Sequence, residues 1–233
     1  MAATTRPASL KAAIYEQIAR IGQATASPHR LELLDLLSQG ARTVEALARQ
    51  TGQSVATTSH HLQVLRRARL VEARKAGLYV TYRLADPQVG EFFLDLRSLA
   101  ESRLAEVQQV TRQYLEGRGA LEPVGNDELV RRVRSGEVTL IDVRPREEYM
   151  AGHLPGALSL PLPELKKRVG ALPKNRDIVA YCRGPYCVMA LDAVALLRRR
   201  GFRAHRMEDG VSEWRAHGWR IETGEARHPE TRP

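Results

Sequence analysis

Two glycines and a proline near the middle of the chain, within residues 117–123, separate two stretches of different character. Helix-forming residues dominate before this point, whereas short apolar runs alternate with helical stretches after it. Glycine and proline clusters interrupt regular structure, and a chain of 233 residues is longer than one average domain. The sequence therefore predicts two domains over residues 1–116 and 124–222, a linker at residues 117–123, and a polar tail at residues 223–233.

Composition limits the classes of protein to which this chain can belong. Hydrophobic residues make up 43% of it, but no apolar run approaches the roughly 20 residues of a membrane-spanning helix. The first residues lack the apolar segment of a signal peptide, and two cysteines are too few for the disulfide framework of a secreted protein. These features predict a cytoplasmic protein without a membrane partner. The net charge of +9 suggests a polyanionic partner.

The first part contains a pattern of short helices separated by a glycine turn. Residues 30–38 form an amphipathic stretch, and Thr43 can cap a helix over residues 44–50. Ser54 can then cap another helix that runs to about residue 68. Two helices joined by such a turn indicate a helix-turn-helix.

A predicted β-hairpin with strands at residues 70–74 and 78–83 follows and would form a wing. The outward face of the second helix carries short polar side chains that can reach base edges, and basic side chains cluster between this helix and the wing. A solvated helix face would explain the polar residues alone, but here all three features occur together. We therefore predict a double-stranded DNA partner. The candidate DNA-binding residues are Gln53, Ser54, Thr57, Ser59, His60, His61, Arg66, Arg67, Arg74 and Lys75.

Residues 57–71, Arg74 and residues 77–84 resemble the ArsR/SmtB family of winged-helix repressors. The resemblance extends over about residues 10–115. It implies that the helix starting at Ser54 enters the major groove and that the wing straddles the DNA backbone. It also implies that a homodimer binds a pseudo-palindromic operator.

The same resemblance raises the questions of dimerisation and of metal sensing. Apolar residues recur every three or four positions over residues 10–21 and over residues 89–114, and the second stripe predicts one long helix over residues 89–115. Both stripes fit a dimer interface, although such stripes also build cores. Metal sensors of this family carry cysteines on the helix before the recognition helix, or Asp and His ligands on the last helix. Residues 44–48 contain no thiol, and residues 89–115 contain neither Cys nor His. We therefore expect neither a metal nor another cofactor.

The second part alternates predicted strands with predicted helices. Apolar runs at residues 138–143 and 178–181 indicate buried strands, and residues 126–134, 162–169 and 188–199 indicate helices. This alternation predicts an α/β domain with a parallel sheet flanked by helices.

Both cysteines of the chain lie in one short loop between a predicted strand and a predicted helix. Arg, Gly and Pro between Cys182 and Cys187 favour an exposed loop over a core. The N-terminus of the following helix and the neighbouring Arg183 would stabilise a thiolate, so we predict a low pKa for Cys182. A pair of buried thiols or a structural disulfide is the alternative.

Residues 140–144, 148–157 and 210–214, with the strand that leads into Cys182, resemble the rhodanese family of sulfurtransferases over about residues 122–221. The resemblance implies that Cys182 is the nucleophile, which takes a sulfane sulfur from a small donor and becomes a persulfide. Backbone amides of the loop would cradle the sulfur anion. The candidates are Cys182, Arg183 and Cys187 as catalytic residues, and Gly184, Tyr186 and Val188 in the sulfur-anion loop.

Three residues of the loop depart from patterns known in related proteins. Pro185 removes one amide from the cradle, and Cys187 adds a second thiol that could resolve a persulfide on Cys182 to a disulfide. Phosphatase and arsenate-reductase relatives have an arginine where this chain has Val188. An oxyanion clamp is therefore not expected.

These features together predict a dimeric transcriptional regulator, a repressor, whose rhodanese domain senses sulfane sulfur or another thiol-reactive signal through Cys182 and Cys187. One alternative is a sulfurtransferase enzyme whose DNA-binding domain only regulates its own operon. Another is a repressor that responds to arsenic or a soft metal, which two thiolates alone would hold with only two ligands.

Overall fold

A computed structural model describes residues 9–116 and 126–224. The chain forms two compact units, Met1–Phe93 and Leu94–Pro233. The predicted linker and nearly all of the predicted tail lie outside the described residues. Within the described ranges, no helix is both long enough and apolar enough to cross a bilayer.

The first unit is built from short helices followed by a hairpin. Helix α5 begins in this unit and ends in the second. The elements are α1 (Leu10–Thr25), α2 (Pro28–Ser38), β1 (Arg42–Thr43), α3 (Val44–Thr51), α4 (Val55–Arg67), β2 (Val71–Ala76), β3 (Tyr79–Leu84) and α5 (Pro87–Arg103).

Both predicted N-caps of the helix-turn-helix are confirmed. The side chain of Thr43 accepts a hydrogen bond from the backbone N–H of Ala46 at 3.2 Å, at the start of α3. Helix α3 ends at Gly52, whose φ of 65° is the left-handed conformation that glycine adopts without strain. The side chain of Ser54 then accepts a hydrogen bond from the backbone N–H of Thr57 at 3.0 Å, which starts α4.

The predicted wing is also confirmed. Strands β2 and β3 pair antiparallel from Val71 opposite Leu84 to Ala76 opposite Tyr79. The short strand β1 pairs with β3 on its other side, so that the strand order is β1-β3-β2. Gly77 has a φ of 60° at the turn, a conformation that few other residues tolerate.

The second unit contains the end of α5 and a four-stranded parallel sheet with helices. The predicted single helix over residues 89–115 is wrong, since the structure interrupts it at Leu104. The elements after α5 are α6 (Ala105–Glu116), α7 (Asn126–Arg134), β4 (Thr139–Asp142), α8 (Arg146–Ala151), β5 (Leu158–Ser159), α9 (Leu162–Arg168), a 3-10 turn (Val169–Ala171), β6 (Ile178–Tyr181), α10 (Met189–Arg199), β7 (Ala204–Arg206) and α11 (Val211–Ala216).

Helices cover both faces of this sheet, as expected for an α/β domain. The strand order is β5-β4-β6-β7 with all pairs parallel. Alternate residues of a strand point to opposite faces, so Ile141 packs with residues of α9 and α10, such as Leu197. Its neighbour Leu140 packs on the other face with Leu129 of α7 and Trp214 of α11. The two central strands β4 and β6 are consequently buried on both sides.

Candidate functional site

The cysteine loop connects the central strand β6 to helix α10. Cys182 follows the strand directly, and Val188 is the N-cap residue of the helix. Gly184 adopts a φ of 134°, and its carbonyl accepts the N–H of Cys187 at 3.2 Å. The loop therefore curls back at the carboxyl edge of the sheet, where parallel α/β folds generally place their sites.

The two cysteines face each other inside this loop, and both are unbonded thiols. Cys182 is only 2% exposed, whereas Cys187 is half-buried. The Cys182 thiol donates a hydrogen bond to the carbonyl oxygen of Cys187 at 3.3 Å. It also lies within hydrogen-bonding reach of the Cys187 sulfur. The pair is thus arranged so that one sulfur can attack or deprotonate the other.

The predicted low pKa of Cys182 is wrong in this structure. Burial raises the pKa of Cys182, and so does its hydrogen bond to Cys187. The hydrogen bond from Cys182 lowers the pKa of Cys187 to about 6, with help from the N–H groups of Arg183 and Met189 and from the Arg183 charge. The thiol with the lowered pKa is therefore that of Cys187, which lies closer to the helix N-terminus.

The predicted catalytic residue Arg183 is held by a carboxylate that sequence analysis did not single out. Its guanidinium donates to Glu148 of α8, with Nη2 at 2.6 Å from Oε1 and Nε at 3.0 Å from Oε2. The Glu148 side chain is 1% exposed, and a buried carboxylate needs such a partner. Arg183 therefore anchors the loop to α8 as well as influencing Cys187.

A close backbone approach fixes the other side of the loop. A Cβ atom on Gly210 would lie 2.7 Å from the carbonyl oxygen of Cys182 and 2.7 Å from the carbonyl carbon of Arg183. The carboxylate of Glu213 accepts the Gly210 N–H at 2.8 Å, and a Cβ atom on Gly184 would lie 3.0 Å from the same side chain. Residues 210–214 are part of the stretch that resembles the rhodanese family, but the resemblance alone implies no role for Gly210 or Glu213.

A buried ion pair supports the strand ends beneath the loop. Arg144 and Asp142 are both fully buried, with 2.6 Å between Nη2 and Oδ2. The Tyr181 hydroxyl donates to the same carboxylate oxygen at 2.7 Å, and Arg144 also donates to the carbonyl of Gly152 at 2.7 Å. These bonds connect β4 to β6 immediately before Cys182, so the base of the loop is rigid.

In the first unit, most candidate DNA-binding residues lie at the surface of α4 and of the wing. Ser54 and Thr57 are hydrogen-bonded to each other through their hydroxyls at 2.9 Å, and Gln53 lies 3.4 Å from the ring of His29. Ser59 is half-buried on α4. Those with exposed side chains are Ser54, His60, Arg66, Arg67, Arg74 and Lys75.

The side chain of His61 is less exposed than that of its neighbour His60 on α4. Its Nδ1 is buried and has no hydrogen-bond partner among the described residues, and its ring lies 5.5 Å from that of His29. Burial lowers the pKa of His61, as do the charges of Arg30, His29 and His60. Because neighbouring residues of a helix point in different directions, the exposed His60 and the half-buried His61 lie on different faces of α4.

The described residues contain no group of three or more His, Cys, Asp or Glu side chains placed to hold a metal ion. The loop thiols therefore have no third ligand of these types nearby within the part of the chain that the structure covers.

Two family models match this sequence, one in each part. The model described as bacterial regulatory protein, arsR family, matches residues 27–73, and the model described as rhodanese-like domain matches residues 125–217. The first match covers α3 and α4, and the second covers the cysteine loop and the parallel sheet.

Individual relatives match either nearly the whole chain or one of its two parts. The HTH-type transcriptional regulator Rv0324 of Mycobacterium tuberculosis is 47% identical over 92% of this chain and 94% of its own length. A sulfurtransferase of Allochromatium vinosum is 35% identical over 35% of this chain and 76% of its own length. A solved structure, the homodimeric winged helix-turn-helix domain of Mb0332 from Mycobacterium bovis, is 42% identical, covering 45% of this chain and 94% of that one, with a TM-score of 0.40.

Proposed function

This chain belongs to the arsR family of bacterial regulatory proteins and carries a rhodanese-like domain; on that premise, we propose that the rhodanese-like domain senses sulfane sulfur and thereby alters operator binding. The observation that carries the proposal is the hydrogen-bonded pair of unbonded thiols, Cys182 and Cys187. They are the chain's only two cysteines. A thiol-reactive signal therefore has no other cysteine to modify.

The first chemical step transfers one sulfur to Cys182. The Cys187 thiolate takes the proton of the Cys182 thiol, and the resulting Cys182 thiolate attacks the terminal sulfur of a low-molecular-weight persulfide, RSSH. A new Cys182 S–S bond forms, the donor S–S bond breaks, and RS⁻ leaves and takes the proton from Cys187. The proton transfer to Cys187 is needed because the raised pKa of Cys182 keeps its thiol protonated; once formed, a thiolate of higher pKa is intrinsically the stronger nucleophile.

The second step forms a disulfide bond between the two cysteines. The regenerated Cys187 thiolate attacks the Sγ atom of the Cys182 persulfide, the Cys182–Cys187 disulfide forms, and the outer sulfur leaves as HS⁻ with the electron pair. The sulfane sulfur is thereby reduced to sulfide while the two thiols are oxidised. The low pKa of Cys187 keeps it ionised and ready for this step at neutral pH.

In the proposed function, α4 and the wing bind the DNA. The exposed polar and basic residues of these elements contact a pseudo-palindromic operator, and the operator is bound by a homodimer. Exposed apolar side chains support dimerisation, since large apolar groups are seldom left uncovered in helical stripes. Those on α1 are Leu10, Ile14 and Ile18, and those after it on α5 and α6 are Leu99 and Val110.

The second candidate function is sulfurtransfer with turnover. It is favoured by the similarity of the rhodanese-like domain to a known sulfurtransferase. Under that alternative, the sulfur on Cys182 passes repeatedly to an external thiol, and operator affinity does not depend on the state of the loop. The sensor is preferred because the Cys187 thiol lies beside the Cys182 thiol and could attack a persulfide formed there.

Two cysteine variants test the sensor directly. An operator is first selected from random duplexes with reduced protein, and its binding is then measured before and after polysulfide treatment with intact mass recorded in parallel. Cys182→Ser should bind the operator and take up no sulfur. Cys187→Ser should gain the persulfide mass but form no intramolecular disulfide. Sulfur uptake at an undiminished rate in Cys182→Ser would contradict the assigned roles, and unchanged operator affinity in treated wild type would favour the enzyme.

A further inference from the structure

The carboxyl-terminal part of helix α5 belongs to the same compact unit as the cysteine loop and contacts it. The hydroxyl of Tyr186, the residue immediately before Cys187, is hydrogen-bonded to the carboxylate of Glu101 on α5. One turn earlier, Arg97 pairs with Glu213, with 2.7 Å between Nη2 and Oε1. The guanidinium of Arg97 also lies 5.9 Å from the centre of the Tyr186 ring.

These contacts are partly shielded from water. The side chains of Arg97 and Glu213 are 17% and 11% exposed, so their attraction is less screened than that of a surface pair. Glu213 uses its other oxygen to accept the N–H of Gly210, which packs against the backbone of Cys182. Arg97 also lies 3.5 Å from Glu101 on the same helix face. Helix α5 is therefore connected to the loop at Tyr186 and, through Glu213, at its base.

The other end of α5 is packed into the helix-turn-helix core. Val89 and Phe93 pack against the hydrophobic cluster of the first unit, which includes the α4 residues Leu62 and Leu65. Arg97 and Glu101 are four residues apart, which places them along one face of the helix. Helix α5 thus begins with residues that pack in the first unit and ends with residues that contact the cysteine loop in the second.

We propose that Glu101 and Arg97 of α5 transmit the chemical state of the cysteine loop to the DNA-binding unit through Tyr186 and Glu213. This inference rests on the proposed sensing function and specifies its route. Closing the disulfide removes the Cys182 thiol as donor to the Cys187 carbonyl and imposes the narrow geometry of an S–S bond. Tyr186 adjoins Cys187 in the chain, so its hydrogen bond to Glu101 changes when the loop rearranges.

Removing either side of the Tyr186–Glu101 hydrogen bond tests the route. For Glu101→Ala and Tyr186→Phe, the quantity measured is the ratio of operator Kd values between polysulfide-treated and reduced full-length protein. Wild type should show a ratio that differs from unity by about fivefold or more, and both variants should reduce this difference to less than about twofold. Sulfur mass on Glu101→Ala should equal that on wild type, because Glu101 takes no part in the thiol chemistry.

Glu106→Ala is the matched control, since Glu106 is an exposed carboxylate one helix further on, and it should respond like wild type. Variants that take up sulfur and still show the full wild-type ratio would overturn this route while leaving the sensing function intact. A wild-type ratio near one, despite sulfur uptake, would instead overturn the sensing function on which the route rests.

Discussion

Gly210 lies so close to Cys182 that a Cβ atom on Gly210 would stand 2.7 Å from the Cys182 carbonyl oxygen. The obstructing atoms are backbone, which no side-chain rotation can displace. The N-terminus of α11 therefore helps to fix the position of the nucleophilic loop, although α11 lies far from it in the sequence.

Gly210→Ala should displace the loop. We expect a loss of about 1–3 kcal/mol in stability from the forced separation, together with slower sulfur uptake at Cys182. The control is Gly170→Ala, because a Cβ atom at Gly170 meets nothing within 4 Å. Thermal unfolding and the rate of mass increase with polysulfide measure the two effects. Equal uptake rates for Gly210→Ala and Gly170→Ala would show that the close approach has no role in loop geometry.

The thiol that ionises at the lower pH should be that of Cys187. The ultraviolet absorbance of the thiolate in reduced wild type should rise with a midpoint near the Cys187 pKa of about 6. Cys182→Ala removes the hydrogen bond that lowers this pKa most, so the midpoint should move up toward the ordinary value of about 8.5. Cys187→Ser should abolish the low-pH transition. Persistence of that transition in Cys187→Ser would assign it to Cys182.

Burial of the Glu148 carboxylate should be stabilised by the guanidinium of Arg183. Arg183→Ala leaves a carboxylate that is 1% exposed without its paired guanidinium, and stability should fall by about 3 kcal/mol. Adding Glu148→Gln to that variant removes the stranded charge and should recover part of the loss. Denaturant unfolding of the single and double variants measures both changes. A double variant no more stable than Arg183→Ala alone would argue against an ion pair of this importance.

On the DNA-binding surface, substituting a residue that contacts phosphate should have a different effect from substituting one that contacts a base. Arg74→Ala removes an exposed charge of the wing, so binding should weaken on all sequences alike and the salt slope should fall by about 1. His60→Ala should also relax sequence preference, because His60 faces outward from α4. Arg146→Ala, an exposed arginine of α8, serves as the control. Equal salt slopes for Arg74→Ala and Arg146→Ala would exclude the wing from the phosphate contacts.

Much of the fold follows from local sequence signals, because those signals act over a few residues. Thr43 and Ser54 cap their helices through bonds to residues three positions away. The spacing of apolar residues likewise predicts helix α7 at Asn126–Arg134 and strand β6 at Ile178–Tyr181. The break at Leu104 had no such signal, since neither glycine nor proline marks it.

Local sequence places the two thiols in one loop, but it does not show which groups surround them in the fold. The loop between Cys182 and Cys187 is contiguous in sequence, whereas its partners Glu148 and Glu213 come from separate helices. The distribution of charge between the thiols depends on burial and on a hydrogen bond that only the folded loop creates. Local sequence also does not show that the ring of His61 lies 5.5 Å from that of His29.

The most direct test compares the operator affinity of reduced and polysulfide-treated wild type in one titration, with intact mass confirming modification of Cys182 and Cys187. The thiol pair and its contacts predict a change of several-fold to about a hundredfold, which corresponds to a coupling of roughly 1–3 kcal/mol. Fully modified protein that binds the operator within about twofold of the reduced protein would contradict the sensor.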